Sequence, residues 1–117
     1  KRNYILAIVS NRPKKFTNIL LAHLRLKKYF SLILCAKNKK ELKPSPKLLV
    51  KIIKKLKIHP EQALYLGDMV IDVYAGRRAK VKTIAVSGGF STKEELRQAK
   101  PFKIISKITD LLNFFPY

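Results

Sequence analysis

The sequence predicts an α/β fold with parallel strands, because short apolar runs alternate with amphipathic stretches along its 117 residues. Continuous apolar runs such as residues 4–9 are typical of strands covered on both faces. The stretches between them place apolar residues three and four positions apart, as helices do when one face packs on a sheet. No linker and no internal repeat interrupts this alternation, so we expect residues 1–117 to form one domain.

The first half of the chain predicts two strands and two helices. Residues 4–9 form the first strand, and Pro13 suits the first turn of the helix that follows. Residues 30–36 form the second strand, and a lysine-rich loop runs from there to Pro46. The stripes expected to face the core are Phe16, Ile19, Leu20, His23 and Leu24 in the first helix, and Leu48, Leu49, Ile52, Ile53 and Leu56 in the second.

The second half continues the same alternation. Either Ser91 or Thr92 can cap a helix here, since a hydroxyl before two glutamates accepts hydrogen bonds from free backbone N–H groups. The predicted elements are strands at 63–66, 83–86 and 102–105, and helices at 71–79, after residue 92, and at 108–115.

The composition is strongly basic, with 26 Lys and Arg against 7 Asp and Glu and a net charge of +19. Such a charge attracts any phosphate-bearing partner and selects none of them. Nucleic acid is not the expected partner, because arginines and aromatic residues are not interleaved in a stripe. No apolar run approaches the roughly 18 residues that span a bilayer, so no membrane partner is expected. The single cysteine, Cys35, favours a reducing, cytoplasmic setting.

Polar side chains follow three of the predicted strands, at the edge where parallel sheets bind ligands. Ser10 follows the first strand, Lys43 lies in the loop after the second, and Asp68 ends the third. Asp72 comes four residues later, so a helical turn places both carboxylates on one side. This set suits a phosphate and Mg²⁺, which prefers carboxylate and phosphate oxygens. Each residue taken alone also has a purely structural interpretation. Ser10 would then be a turn or helix-cap residue and Lys43 a solvated lysine, and Asp68 and Asp72 would be a helix cap and an exposed helical residue.

In this order, the motifs resemble those of the haloacid dehalogenase-like (HAD) hydrolase superfamily. The resemblance rests on residues 6–11 (LAIVSN), 42–46 (LKPSP) and 64–72 (LYLGDMVID), and it continues through residues 73–79, 82–86, 88–90 and 94–96. Within the superfamily, the chain looks most like the phosphoglycolate phosphatase type. The resemblance implies a Rossmann-like, three-layer α/β/α core with a parallel sheet. It also indicates two small departures: Lys80 stands where the family commonly has glycine, and residues 35–37 (CAK) replace its usual small, glycine-rich strand end.

The resemblance implies a role for each site residue. Ser10 and Lys43 correspond to the catalytic hydroxyl and lysine that bind the transferring phosphoryl group, and Asn11 helps to shape the phosphate site. Asp68 and Asp72 correspond to the acidic motif that holds Mg²⁺. The implied substrate is a small phosphorylated metabolite, hydrolysed through an aspartyl-phosphate.

The family's nucleophile lies in an Asp-x-Asp motif on the central strand, and no such motif occurs in this sequence. The aspartates are Asp68, Asp72 and Asp110, and the last lies in a predicted helix. The implied core is therefore incomplete, lacking the central strand and the cap domain. Three explanations stay open: the carboxyl-terminal part of a longer phosphatase, a split enzyme completed by a second chain, or a relative that has lost catalysis. The alternative function is a non-catalytic basic module that binds nucleic acid or another polyanion.

Overall fold

The computed structural model describes residues 4–114, in which five parallel strands alternate with four α-helices. Single 3₁₀ turns occupy Lys27–Tyr29, Lys39–Glu41 and Pro60–Gln62, and a longer 3₁₀ segment spans Ile108–Phe114. In chain order the elements are β1 (Ala7–Ser10), α1 (Lys14–His23), β2 (Leu32–Cys35), α2 (Lys47–Leu56), β3 (Leu64–Gly67), α3 (Val70–Arg78), β4 (Lys82–Val86), α4 (Lys93–Ala99) and β5 (Lys103–Ile105).

The strands form two separate parallel sheets. In one sheet β1 pairs with β2, and in the other the order is β3–β4–β5. The register places Ser10 opposite Cys35 in the first sheet and Leu66 opposite Ile84 in the second. Among residues 4–114, β1 and β3 therefore each have a strand on one side only.

Helix α2 packs against both sheets and holds them together. Its buried residues Leu49, Ile52 and Ile53 share one core cluster with Ala75 of α3, and partly buried residues of β1, β2 and β3 pack against that cluster. A second cluster, which includes Val73 and Leu96, lies between α3, α4 and β4. Burial of these apolar side chains is the main force that stabilises the arrangement.

The predicted α/β class is confirmed, and most elements begin or end within two residues of their predicted bounds. The stripe of α2 is confirmed, with Leu48, Leu49, Ile52 and Ile53 buried. Thr92 rather than Ser91 caps α4, since its Oγ1 accepts a hydrogen bond from the Glu95 N–H. The predicted last helix is a 3₁₀ segment as far as residue 114, and Phe115 lies outside the described residues.

Two predictions near the start of the chain are wrong. The first strand begins at Ala7 rather than at Tyr4, and residues 4–6 are about half exposed. The predicted stripe of α1 also faces solvent, because α1 packs through Thr17 and Leu21 instead. The first difference has a physical cause: among the described residues β1 has no strand on its open side, so residues 4–6 have little to pack against. The exposed stripe residues are Phe16, Ile19, Leu20, His23 and Leu24.

Candidate active site

The candidate site lies at the carboxyl ends of β1 and β3. Ser10 is the last residue of β1 and Asn11 follows it, whereas Asp68 follows β3 and Asp72 lies in the first turn of α3. Lys43 comes from the loop between β2 and α2. Parallel strands direct their carboxyl ends to the same edge of a sheet, and this is how residues distant in the sequence meet here.

The loop after β1 is fixed to the loop that carries Lys43. The Lys43 backbone N–H donates a hydrogen bond to Asn11 Oδ1 over 2.8 Å. The Ser10 hydroxyl oxygen accepts a hydrogen bond from the Arg12 N–H over 2.9 Å, which closes a tight turn directly after the strand. Asn11 thus connects the loop after β1 to the loop after β2, and the hydrogen bond from Arg12 holds the Ser10 hydroxyl at the end of β1.

A buried ion pair forms the centre of the site. Lys43 Nζ donates to Asp72 Oδ1 over 2.7 Å, and the two side chains are only 12% and 4% exposed. The same oxygen accepts a hydrogen bond from the Tyr65 hydroxyl over 3.2 Å. The other oxygen, Oδ2, accepts the Met69 N–H and so caps the first turn of α3. Both oxygens of Asp72 therefore accept hydrogen bonds from within the protein.

Burial raises the pKa of the Tyr65 hydroxyl well above its usual value, and the negative charge of Asp72 adds to the effect. The phenol is therefore held protonated and donates to the carboxylate. Lys43 lies beside the same ring, with Nζ 5.8 Å from the ring centroid. Tyr65 thus contacts both members of the lysine–aspartate pair and helps to orient them.

Asp68 is held differently from Asp72. One of its oxygens, Oδ2, accepts a hydrogen bond from the Phe90 N–H, which ties the end of β3 to the loop after β4. Gly89 lies against this carboxylate, and a Cβ atom at residue 89 would overlap it. Its second oxygen has no hydrogen-bond partner among the described residues, so Asp68 keeps a free carboxylate oxygen at the strand end.

The structure brings only part of the predicted set into direct contact. Asn11, Lys43 and Asp72 are linked by hydrogen bonds, whereas within residues 4–114 no hydrogen bond or ion pair joins the Ser10 hydroxyl or the Asp68 carboxylate to them. The described part of the chain contains no cluster of three or more His, Cys, Asp or Glu side chains that could hold a metal ion by itself. A cation bound here would therefore take most of its ligands from water or from the substrate.

Sequence reasoning missed three residues that support the site. Tyr65 was assigned only to a strand, although a tyrosine three residues before Asp68 could have been suspected of reaching a carboxylate. The Ser91 hydroxyl accepts a hydrogen bond from the Val70 N–H and so holds the start of α3. The close approach of Gly89 to Asp68 depends on the packing of two loops, which local sequence patterns do not record. The Lys43–Pro44 peptide bond is cis.

Comparison with known proteins matches this architecture to one family. Residues 1–86 match the family described as haloacid dehalogenase-like hydrolase. Phosphoglycolate phosphatase 1 of Pseudomonas aeruginosa is 33% identical over 113 residues, which are 96% of this chain and 42% of that protein. The phosphoglycolate phosphatase of Nitrosococcus oceani is 30% identical over 112 residues, which are 96% of this chain and 50% of that protein. The chain thus spans about half the length of the curated relatives it matches.

Solved structures agree with the fold. A predicted phosphoglycolate phosphatase from Haemophilus somnus superposes with a TM-score of 0.90 at 28% identity, covering 97% of this chain and 50% of that one. A putative β-phosphoglucomutase from Thermotoga maritima superposes with a TM-score of 0.87 at 21% identity, covering 98% and 55%, and this likeness shows the fold alone. The family match covers well over half of the sequence, and we conclude that this chain belongs to the haloacid dehalogenase-like hydrolases.

Proposed function

We propose that this chain supplies the hydroxyl, lysine and acidic motifs of a Mg²⁺-dependent phosphomonoester hydrolase that acts through an aspartyl-phosphate. The observation that carries the proposal is the link from Asn11 through Lys43 to Asp72 across the carboxyl ends of β1 and β3. This link holds an ammonium group at the edge of the sheet where a phosphate would bind. Positioned donors of this kind stabilise the charge of a phosphoryl group during transfer.

The proposed roles follow from how each side chain is held. The Ser10 hydroxyl hydrogen is free to donate to a phosphoryl oxygen, because the hydroxyl oxygen already accepts the Arg12 N–H. Lys43 has two further ammonium hydrogens beyond the one given to Asp72. Asn11 shapes the site by fixing the backbone of Lys43. Asp72 acts as a positioning residue that keeps the ammonium in place.

The acidic residues fit a magnesium ion of the kind that keeps several waters. Asp68 offers one free oxygen, and Mg²⁺ is commonly held by one or two carboxylates together with substrate oxygens. Asp72 has both oxygens engaged within the protein, so it would act on the ion through the charge it adds nearby. When bound, the ion would neutralise phosphate charge.

The proposed substrate is a small phosphorylated metabolite. The relatives named above are phosphoglycolate phosphatases, which makes phosphoglycolate the first substrate to test. The nucleophile would come from residues other than Asp68, Asp72 and Asp110. Its carboxylate oxygen would attack phosphorus while the ester P–O bond breaks, and water would then hydrolyse the aspartyl-phosphate. We propose the cytoplasm as the setting, which suits the buried free thiol of Cys35.

Substitution of Asp68 tests the proposal in a protein that also contains the nucleophile segment. We expect Asp68→Asn to abolish Mg²⁺-dependent release of inorganic phosphate from phosphoglycolate and other small phosphomonoesters. The matched control is Asp110→Asn, since the Asp110 carboxylate bonds to Ser106 and Lys107 and, among the described residues, to no residue of the site. Near-normal turnover by the folded Asp68→Asn protein would refute the assignment.

The net charge of +19 supports one second candidate, a module that binds nucleic acid or another polyanion. A binder that contacts phosphates loses affinity steeply as salt rises. The salt dependence of affinity for a duplex DNA oligonucleotide therefore separates the two candidates. Absence of binding in low salt would eliminate this one. No helix in the described part of the chain is long and apolar enough to cross a membrane.

A further inference from the structure

The loop that carries Lys43 is tied to distant parts of the chain by three hydrogen bonds within residues 4–114. Two of them belong to the site described above: the Lys43 N–H donates to Asn11 Oδ1, and Lys43 Nζ donates to Asp72 Oδ1. The third comes from Arg78, whose Nη1 donates to the carbonyl oxygen of Pro44 over 3.1 Å. Arg78 thus binds the backbone of the residue that directly follows Lys43.

Arg78 reaches this carbonyl from the last residue of α3. Tyr74 lies one turn earlier on the same helix, and its ring centroid is 6.0 Å from the central guanidinium carbon of Arg78. Side chains four residues apart on a helix are neighbours, and a guanidinium is attracted to the face of an aromatic ring at about this distance. The ring restricts the arginine side chain, so less conformational entropy is lost when Arg78 bonds to the loop.

Helix α3 therefore holds the Lys43 loop at two points. Asp72 lies in the first turn of α3 and binds the ammonium, whereas Arg78 at the other end binds the adjacent backbone. Residues 72 and 78 are separated by about 9 Å along the helix axis. Because both anchors belong to one helix, the Lys43 backbone is fixed relative to the carboxylate that binds its ammonium.

The Lys43 ammonium depends on this support, because it lies at the end of a flexible four-carbon stem. It stays in one place only when the backbone is held as well as the tip, and fixing both costs conformational entropy. Pro44 has no N–H, so its carbonyl is the one backbone group through which a hydrogen bond can hold it. Arg78 binds that group.

We propose that Arg78 is a positioning residue for Lys43: by binding the Pro44 carbonyl, it fixes the backbone from which the ammonium reaches the phosphate site. Among the described residues, Arg78 makes no hydrogen bond or ion pair with Asn11, Lys43 or Asp72, so its effect passes through the loop. The fixed backbone follows from these contacts. The consequence for phosphate chemistry rests on the proposed function.

The neighbouring residue Arg77 provides a matched control. Its Nη1 donates to the carbonyl oxygen of Ala99 over 3.1 Å, which is the same kind of bond at the same distance, but to the end of α4. Both arginines are exposed and lie in the last turn of α3. Methionine keeps an unbranched stem and a similar helix propensity. Arg77→Met and Arg78→Met therefore each remove one positive charge and one hydrogen bond.

Amide hydrogen exchange of the 117-residue chain measures how firmly the loop is held. We expect Arg78→Met to speed exchange of the Lys43 amide about fivefold, the loss that one hydrogen bond of ordinary strength represents. Arg77→Met should leave this amide close to its wild-type rate. Ile84, fully buried in β4, reports on unfolding of the whole chain and should not change in either variant.

Two outcomes of this experiment would overturn the proposal. Equal exchange of the Lys43 amide in the two variants would show that the bond to Pro44 does not hold the loop. An increase at Ile84 as large as that at Lys43 in the Arg78→Met variant would show that Arg78 stabilises the fold as a whole.

Phosphate release by a protein that also contains the nucleophile segment tests the consequence for chemistry. We expect Arg78→Met to lower kcat about tenfold with little change in KM, because a displaced ammonium stabilises the transferring phosphoryl group less well. Arg77→Met should leave kcat unchanged. Faster exchange at Lys43 together with an unchanged kcat would overturn the positioning role.

The two measurements separate this inference from the proposed function. If the wild-type protein with its nucleophile segment releases no phosphate from small phosphomonoesters, the proposed function fails. Faster exchange at Lys43 in the Arg78→Met variant alone would still support the role of Arg78 in fixing the loop.

Discussion

Lys43 Nζ lies 2.7 Å from Asp72 Oδ1, and the same carboxylate accepts hydrogen bonds from the Tyr65 hydroxyl and from the Met69 N–H at the start of α3. The two residues are 29 positions apart in the sequence, so their contact fixes the loop after β2 against the helix after β3. Ion pairs in such surroundings are costly to break, because removal of one partner leaves a buried charge without compensation.

We expect Asp72→Asn to lower the free energy of unfolding by about 3 kcal/mol, because it leaves the buried Lys43 ammonium without its counter-charge. The matched control is Glu94→Gln, which breaks the solvent-exposed pair of Glu94 with Arg97. Exposed pairs contribute little, so the control should lose less than about 1 kcal/mol. Urea unfolding of both variants measures the difference, and equal losses would show that the Lys43–Asp72 pair is solvated.

The hydroxyl of Tyr65 should make stability depend on pH in the alkaline range. Its pKa is raised in the folded protein, so its contribution is fully present below about pH 10, the usual tyrosine value, and is lost as pH rises further. Above pH 10 the free energy of unfolding should therefore fall more steeply for the wild type than for Tyr65→Phe, by up to about 1.4 kcal/mol per pH unit.

Urea unfolding between pH 8 and pH 11 measures both slopes. Tyr74→Phe is the control, because Tyr74 is 38% exposed and stacks near Arg78 rather than on a carboxylate. This control should follow the wild-type slope. Parallel curves for wild type and Tyr65→Phe would contradict the buried hydrogen bond to Asp72.

Lys80 adopts a backbone conformation that usually requires glycine, in a chain that contains only four glycines. Its φ of 63° is in the left-handed region, directly after the end of α3, where glycine is the favoured residue. We expect Lys80→Gly to raise the free energy of unfolding by about 1 kcal/mol, because glycine adopts this conformation without steric cost. Thermal or urea unfolding checks the sign.

The control for Lys80→Gly is the same change at Lys54, an exposed position inside α2. There glycine should lower stability by about 1 kcal/mol, because it is a poor helix former. Opposite signs for the two substitutions are the expected result. A loss of stability at both positions would contradict the left-handed conformation of Lys80.

The alternation of strands and helices was predictable because it depends on local sequence patterns. The stripe of α2 is the clearest case: its apolar residues recur at helical spacing and are buried by both sheets, as expected. The order of the site residues was also predictable, since they lie at the end of β1 or in the loops and helix turn that follow β1, β2 and β3. Their metal and phosphate roles stay predictions.

Other features depend on packing that local patterns do not record. The spacing of Asp68 and Asp72 gave no sign that the Asp72 carboxylate accepts hydrogen bonds from Lys43, Tyr65 and a backbone N–H. Nor did it show that one oxygen of Asp68 has no partner among the described residues. The division into two sheets is a second example. It depends on what lies beside β1 and β3, and neither strand's own sequence carries that information.

The surface of α1 provides the last prediction. Phe16 is 57% exposed, whereas Leu21 is 6% exposed and Thr17 contacts Cys35 of β2. We expect Phe16→Gln to change the free energy of unfolding by less than about 1 kcal/mol, since a mostly exposed side chain loses little burial. Leu21→Ala should cost about 2–3 kcal/mol, because it removes buried methyl groups and leaves a cavity.

Urea unfolding of the two variants decides which face of α1 packs on the sheet. Gln retains a good helix propensity, so the Phe16 variant tests packing rather than helix formation. A loss at Phe16 as large as that at Leu21 would mean that the stripe predicted from the sequence is the buried face after all. The helix would then have to rotate relative to β2 and break the contact between Thr17 and Cys35.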